Sequence, residues 1–288
     1  MRKRITGYAP AKLNLFLDVL RKRSDGYHDL ATVFLPLHGL YDEVCITRKD
    51  RPGVSLSCKA AGVPCDRRNL AWQAATEFAK AAAMEAVWHI ELTKRIPVAA
   101  GLGGGSSDAA SVLSLLNELC GLPLAGNELW RIGASLGADV PFFLDPRPAL
   151  GSGRGDILEP LDSKVSLSLV LVNPGFPISA RWAYTHLAPE LPHPDIAPLT
   201  QALAAGDPGA VGRYMYNVFE QPAVQKFPLL EIILNVVQEV PGCFGARMSG
   251  SGPTIFGIFD TEDHAVAGAR RVAGKLGTKI WTKVVCVH

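Results

Sequence analysis

The order of apolar and polar positions predicts a chain of interleaved strands and helices. Residues 5–19 are rich in Leu, Phe and Val and partly alternate, as a long strand or strand pair would. Residues 33–40, 43–47 and 54–58 predict further strands. Residues 69–84 carry apolar side chains at helical spacing behind Asn69, a good N-cap, so a helix is expected there. An alternating strand at 88–93 and a helix at 109–120 follow, the helix closing at Gly121 and Pro123. A short helix is expected at 128–136. The second half opens on an apolar strand, 166–172, and a helix starting near Ser179. The proline-rich stretch 188–198 reads as a surface loop. Helices are expected at 198–205, 210–219 and 228–237, then a glycine-rich turn at 245–254 and a strand at 255–259. A helix at 261–276 and a strand at 279–287 complete the pattern.

Between strand 88–93 and helix 109–120 the sequence reads PVAAGLGGGSSDAA, residues 97–110. Glycines without Cβ atoms let backbone N–H groups turn inward and approach a ligand closely. A helix N-terminus behind them adds unpaired donors and partial positive charge, so the stretch suits a phosphate. A Walker A loop is excluded, because no lysine occurs between Ile96 and Asn117. The dinucleotide fingerprint is excluded too, since Ser106 stands where its third glycine belongs. A flexible Gly/Ser linker has similar composition but rarely sits between a strand and a capped helix.

Composition narrows the classes. With 288 residues, two domains are the default. Hydrophobic content of 48% and charge of 19% describe a globular chain. A net charge of +2 argues against a dedicated nucleic-acid binder. The six cysteines form no Cys-x-x-Cys pair and no zinc spacing, so reduced thiols in a cytoplasmic protein are expected. The basic start lacks the apolar run of a secretory signal, and no stretch reaches 18 apolar residues, so no membrane association is expected.

Three further spots carry polar groups in apolar surroundings. Lys12 and Asn14 share one face of an extended segment, opposite Leu13 and Leu15. A solvated edge lysine is the ordinary reading; a partly buried Lys12 needs an anionic partner. Tyr27 and His28 follow an Asp-Gly turn and either pack or project from the loop. Asp139, among Ala, Val, Pro and Phe, is either a helix cap or a functional carboxylate. Pro146, Pro148 and the glycines at 151, 153 and 155 suggest a hinge near residue 150.

PAKLNL at 10–15, the glycine stretch at 97–110 and MSGSGPTIFGIF at 248–259 together resemble the three signature motifs of the GHMP small-molecule kinases. DGYHDL at 25–30 resembles the branch of that family acting on a cytidine diphosphate-linked methylerythritol in non-mevalonate isoprenoid biosynthesis. The resemblance implies an α+β, two-domain fold. An N-terminal domain like the second domain of ribosomal protein S5 would span 1–152, and a ferredoxin-like C-terminal domain 153–288. It implies an ATP-dependent kinase phosphorylating the 2-hydroxyl of that alcohol. Another GHMP kinase, such as mevalonate or homoserine kinase, is the alternative; a non-catalytic nucleotide or RNA binder is a more distant one.

By the same resemblance, Asp139 is the general base and Lys12 its electrostatic partner. ATP is held by Asn69, Pro97, Val98, Ala99, Ala100, Gly101, Leu102, Gly103, Gly104, Gly105, Ser106 and Ser107. Asn14, Tyr27, His28 and Asp139 contact the small-molecule substrate, with Ser249, Gly250 and Ser251 closing the phosphate site. Trp182 and Tyr184 are both candidates to stack on the cytosine. Mg2+ accompanies ATP, with no side chain assigned as its ligand. A monomer or weak homodimer, without nucleic acid or membrane partners, is expected.

Overall fold

The structure, a computed structural model, describes residues 3–187 and 192–287. Along the chain run β1 (Arg4–Lys22), β2 (His28–Arg48), β3 (Gly53–Cys58), α1 (Leu70–Ala81) and β4 (Val87–Thr93). Next come α2 (Gly104–Leu119), α3 (Gly126–Leu136), α4 (Val140–Leu144), β5 (Ala149–Ser152), β6 (Ile157–Pro160), β7 (Leu167–Asn173) and α5 (Ala180–Thr185). The remainder forms α6 (Ala197–Ala205), α7 (Pro208–Tyr214), β8 (Tyr216–Asn217), α8 (Glu220–Lys226), α9 (Pro228–Gln238), β9 (Cys243–Met248), β10 (Ile255–Phe259), α10 (Glu262–Leu276) and β11 (Trp281–Val287). Two compact units emerge. One comprises Met1–Ala11, Leu40–Val98 and Gly103–Pro146; the other comprises Lys12–Gly39, Ala99–Leu102 and Arg147–His288.

In the first unit β4 pairs antiparallel with β2, from Glu43↔Thr93 to Arg48↔Trp88, and parallel with β3. Alternation sends Trp88, Ile90 and Leu92 into the core. Asn69 caps α1 by accepting a hydrogen bond from Ala71 N at 2.9 Å. Helix α1 presents Ala71, Ala74, Ala75 and Phe78 inward and packs on α2, the small side chains permitting close approach. Phe78 meets Trp88 edge-on with centroids 5.9 Å apart, and burying rings of this size contributes roughly 1.5–3 kcal/mol each.

The second unit holds a four-stranded antiparallel sheet, order β11-β7-β10-β9, against which α9 and α10 pack. This arrangement agrees with the ferredoxin-like expectation. Its core gathers Val170, Val172, Ile233, Val237, Phe259 and Val272. In the same unit β1 pairs parallel with β8 through Phe16↔Tyr216 and Leu17↔Asn217. The start of β2 pairs with β5 through Thr32↔Gly151 to Phe34↔Ala149, and β5 and β6 form a hairpin over the stretch read as a hinge.

Three local expectations are corrected. Helix 210–219 ends instead at Tyr214, because Met215 is extended and the chain enters β8. Residues 245–248, read as part of a turn, belong to strand β9, the Gly245 backbone lying so close to Gly212 that a Cβ would press on its carbonyl. Segments 33–40 and 43–47 are one strand, β2. Of the loop expected at 188–198, residues 188–191 lie outside the described residues.

Candidate active site

Within the first unit the glycine stretch turns directly into a helix. Gly103 adopts φ +73°, a left-handed conformation suited to glycine, and α2 starts at Gly104 rather than at Ala109. Ser107 N donates to Gly103 O at 2.9 Å, closing the first turn. No side chain caps this N-terminus, so its leading N–H groups and the positive end of the helix dipole are available to an anion. The Ser107 hydroxyl is fully buried and has no hydrogen-bond partner among the described residues.

Asp139 precedes α4, which packs on α2. Although it occupies the N-cap position, its side chain makes no capping hydrogen bond, which removes the cap reading. Two residues earlier, Gly137 is near Ser106: a Cβ there would lie 3.9 Å from Ser106 Oγ. Asn69 uses both polar ends structurally, Oδ1 on Ala71 N and Nδ2 on Pro64 O. Next to it, Val54, Leu56, Cys65, Arg67 and Trp72 help line a cavity of about 600 Å3.

Three buried charges beside the glycine stretch escaped the sequence reading. Lys94 Nζ lies 2.5 Å from Asp42 Oδ2 and 2.6 Å from Asp108 Oδ2. Asp42 Oδ1 also accepts from Arg95 N at 2.5 Å and Ile96 N at 2.9 Å. Burial would lower the Lys94 pKa, but the two carboxylates outweigh it and hold the ammonium charged. Burial, with Asp42 adding to it, pushes the Asp108 carboxyl up to about 7 against the pull of Lys94. The one available signal was a lysine at the end of a strand feeding the glycines.

Within the second unit the structure joins residues of all three motifs. Lys12 Nζ donates to Asn14 Oδ1 at 2.5 Å, and Lys12 N donates to Leu102 O at 3.0 Å. Asn14 N donates to Ser249 Oγ at 3.3 Å, and Ser249 Oγ donates to Gly101 O at 3.0 Å. Thr254 N donates to Ala100 O at 3.3 Å. Gly101, at φ +76°, lies so close to the Ser249 carbonyl that a Cβ would collide with it. Lys12 and Asn14 are both buried, so the solvated-edge reading of Lys12 fails. Asn14 Nδ2 donates to Thr32 Oγ1 at 2.8 Å, which fixes the amide's orientation.

The aromatic candidates also separate. His28 stacks on Tyr184 with centroids 4.8 Å apart at 18°, whereas Trp182 stacks on His186. Tyr27 is 55% exposed, with the Arg154 guanidinium 4.9 Å over its ring. Burial, helped by the Lys22 charge, lowers the His28 pKa and keeps its ring neutral. A neutral imidazole offers one donor and one acceptor.

Among the residues thus described, Asn69, Pro97, Val98, Gly103 to Ser107 and Asp139 belong to the first unit. Lys12, Asn14, Tyr27, His28 and Ala99 to Leu102 belong to the second. Among the described residues no helix is long and apolar enough to cross a membrane, and no group of three or more His, Cys, Asp or Glu side chains is disposed to hold a metal ion.

Comparison with known proteins shows the family. The family model for the GHMP kinase N-terminal domain matches residues 69–145, and that for the GHMP kinase C-terminal domain matches 199–278. A 4-diphosphocytidyl-2-C-methyl-D-erythritol kinase from Geobacter metallireducens is 42% identical over 280 residues, covering 94% of each chain. A crystal structure of 4-(cytidine 5'-diphospho)-2C-methyl-D-erythritol kinase superposes with a TM-score of 0.82 at 34% identity, covering 99% of this chain and 100% of that one. Homoserine kinase from Cytophaga hutchinsonii also superposes at 0.82, covering 100% of this chain and 95% of that one; at 19% identity this speaks for the fold alone.

Proposed function

The chain belongs to the 4-diphosphocytidyl-2-C-methyl-D-erythritol kinase branch of the GHMP kinases, and from that premise we propose that it transfers the γ-phosphoryl group of ATP to the 2-hydroxyl of 4-diphosphocytidyl-2-C-methyl-D-erythritol, within non-mevalonate isoprenoid biosynthesis. The observation that carries this reading is the hydrogen-bonded network of Lys12, Asn14, Gly101, Leu102 and Ser249, which brings three widely separated motifs together. The reading divides the chain into domains at 152/153, with each family-model match on its own side. The enzyme acts in the cytoplasm as a monomer or weak homodimer.

Phosphoryl transfer depends on in-line positioning and on stabilising charge around the moving group. The backbone of 97–107 and the start of α2 supply donors to the phosphates, with the buried Ser107 hydroxyl a further fitting partner. Adenosine takes the cavity beside Asn69. Magnesium accompanying ATP would supply charge neutralisation at the phosphates, and the Ser107 hydroxyl, without a hydrogen-bond partner among the described residues, is the side-chain oxygen that would face such a group.

Asp139 accepts the proton of the attacking hydroxyl, a contribution of roughly 10²–10⁴-fold. Lys12 favours the negative charge that develops on the transferring group, and its tether to Asn14 Oδ1 fixes the ammonium. The neutral His28 ring, backed by Tyr184, reads the polar edge of the cytosine, and Tyr27 contributes an aromatic face. Binding energy from the distant base is thereby converted into orientation of the hydroxyl.

Asp139→Asn tests the chemistry. It should retain ATP and alcohol binding, measured calorimetrically, and lose roughly 10²–10⁴-fold in kcat. Near-normal turnover would remove Asp139 from the base role. Running mevalonate and homoserine beside the cytidine-containing alcohol tests the substrate assignment.

A further inference from the structure

We propose that Asp42, Lys94 and Asp108 form a clamp across the two ends of the glycine stretch and set the geometry of the ATP phosphate site, which makes them positioning residues for the reaction. The proposal rests on the reading of 97–107 as the phosphate loop. Lys94 ends the approach from β4, and Asp108 lies in the first turns of α2, so their 2.6 Å ion pair ties the chain entering the loop to the helix leaving it. Asp42, on β2, holds the entering side through Arg95 N, Ile96 N and Lys94 Nζ. The loop therefore closes on a base fixed at both ends.

The burial is unusual for an element that only stabilises. Side-chain exposures are 0% for Asp42, 7% for Lys94 and 4% for Asp108. An apolar trio of similar volume is often as stable as such a cluster, so buried ions are weak evidence of a stabilising role and better evidence of a geometric one. Ion pairs fix direction and distance in a way that apolar packing does not. The adjoining residues point the same way. Asp108 Oδ1 and Ser107 Oγ are buried without hydrogen-bond partners among the described residues, at the turn where the phosphates would lie. A Cβ on Gly104 would stand 3.4 Å from Asp42 Oδ2 and 3.2 Å from Ile96 Cγ2, so the clamp also sets how closely the loop backbone approaches β2 and β4.

The test uses the full chain and the variants Lys94→Met, Lys94→Arg, Asp42→Asn and Asp108→Asn. It measures KM for ATP, KM for the cytidine-containing alcohol, kcat, and amide hydrogen exchange of 97–107 without nucleotide. Lys94→Met should raise the ATP KM by roughly tenfold to a hundredfold, as a small displacement of a positioning loop does. The alcohol KM should stay unchanged, loop exchange should accelerate, and Lys94→Arg should recover most of the ATP KM. If Lys94→Met does not fold, Asp108→Asn, which keeps the acceptor and shape, carries the test, with a rise of several-fold in ATP KM. Unchanged ATP KM and unchanged exchange across the folded variants overturn the clamp, as do parallel losses for both substrates. If the wild type binds no ATP, the phosphate-loop reading falls. Faster loop exchange in the variants then upholds the clamp as a fixture of the loop, and unaltered exchange overturns that as well.

Discussion

The two loops that carry glycines in this chain are anchored by different chemistry. In the first unit, the stretch ahead of α2 is tied down by buried charge, with one ammonium between two carboxylates. In the second, residues 248–254 are tied down mainly by neutral amides and hydroxyls. Asn217 Nδ2 donates to Met248 O at 2.6 Å and to Gly250 O at 2.8 Å, and Asn173 Nδ2 donates to Thr254 Oγ1 at 2.9 Å. Ser249 adds its bonds to Gly101 O and Asn14 N. The carboxylate Glu220 takes part by accepting from Met248 N at 2.7 Å. Charged anchors are stiff and directional, but losing one partner strands an ion in low dielectric. Neutral anchors each contribute less, and their loss leaves only a polar group to be rehydrated. One loop is thus vulnerable at a single side chain, while the other spreads its hold over several.

The largest expected effect follows directly. Lys94→Met should cost about 3–5 kcal/mol in denaturant unfolding, because it leaves two carboxylates facing each other without the ammonium. Asn217→Ala should cost about 1–3 kcal/mol, since it leaves the Met248 and Gly250 carbonyls without their donor and Phe219 N without its acceptor. Comparable losses from the two substitutions would break the distinction between the loops.

Acidity sharpens it next. Asp108 titrates near 3.8 when unfolded and is pushed up to about 7 in the fold. Between those values the folded state binds the extra proton, so this group's contribution is complete below about pH 4 and is lost as pH rises through 7. Thermal midpoints of the wild type should therefore fall between pH 5 and pH 8 more than those of Asp108→Asn. If the two proteins show the same pH dependence, the Asp108 carboxyl is not the titrating group. Asn217→Ala should leave the slope of the wild type intact.

Much of this contrast was invisible in the sequence, and the reason is physical. Patterns local to a few residues were legible: the Asn69 cap, the alternation of β4, the alanine face of α1 and the glycine turn into α2 all follow from periodicity and backbone freedom. The three-motif resemblance gave the fold class and the family. The Asp42–Lys94–Asp108 cluster was not legible, because its members sit on β2, at the end of β4 and in α2, and each alone has the look of a solvated charge. Strand β9 was hidden by its glycine, which is there to let the Gly212 backbone close in rather than to make a turn. Helix 210–219 was misread because the apolar pattern continues past Tyr214, while Asn217 spends its side chain on distant carbonyls. The stacking of His28 on Tyr184, and of Trp182 on His186, was not legible either, because His28 and Tyr184 are remote in sequence.

The smallest expected effect probes how widely the neutral anchorage is shared. Ser249 is fully buried, and its Oγ both donates to Gly101 O and accepts from Asn14 N. Ser249→Ala removes both bonds but leaves Ser249 N on Thr254 O, Thr254 N on Ala100 O and the two Asn217 bonds in place. The loss should therefore be about 1 kcal/mol in denaturant unfolding, below that of Asn217→Ala. Asn217 holds the carbonyls of Met248 and Gly250, the residues on either side of Ser249, so the double variant should depart from additivity by about 0.5 kcal/mol or more. Strict additivity would mean that each side chain holds its own segment independently. The second loop would then be a set of separate ties, and its contrast with the single charged clamp would lie in number and not in cooperation.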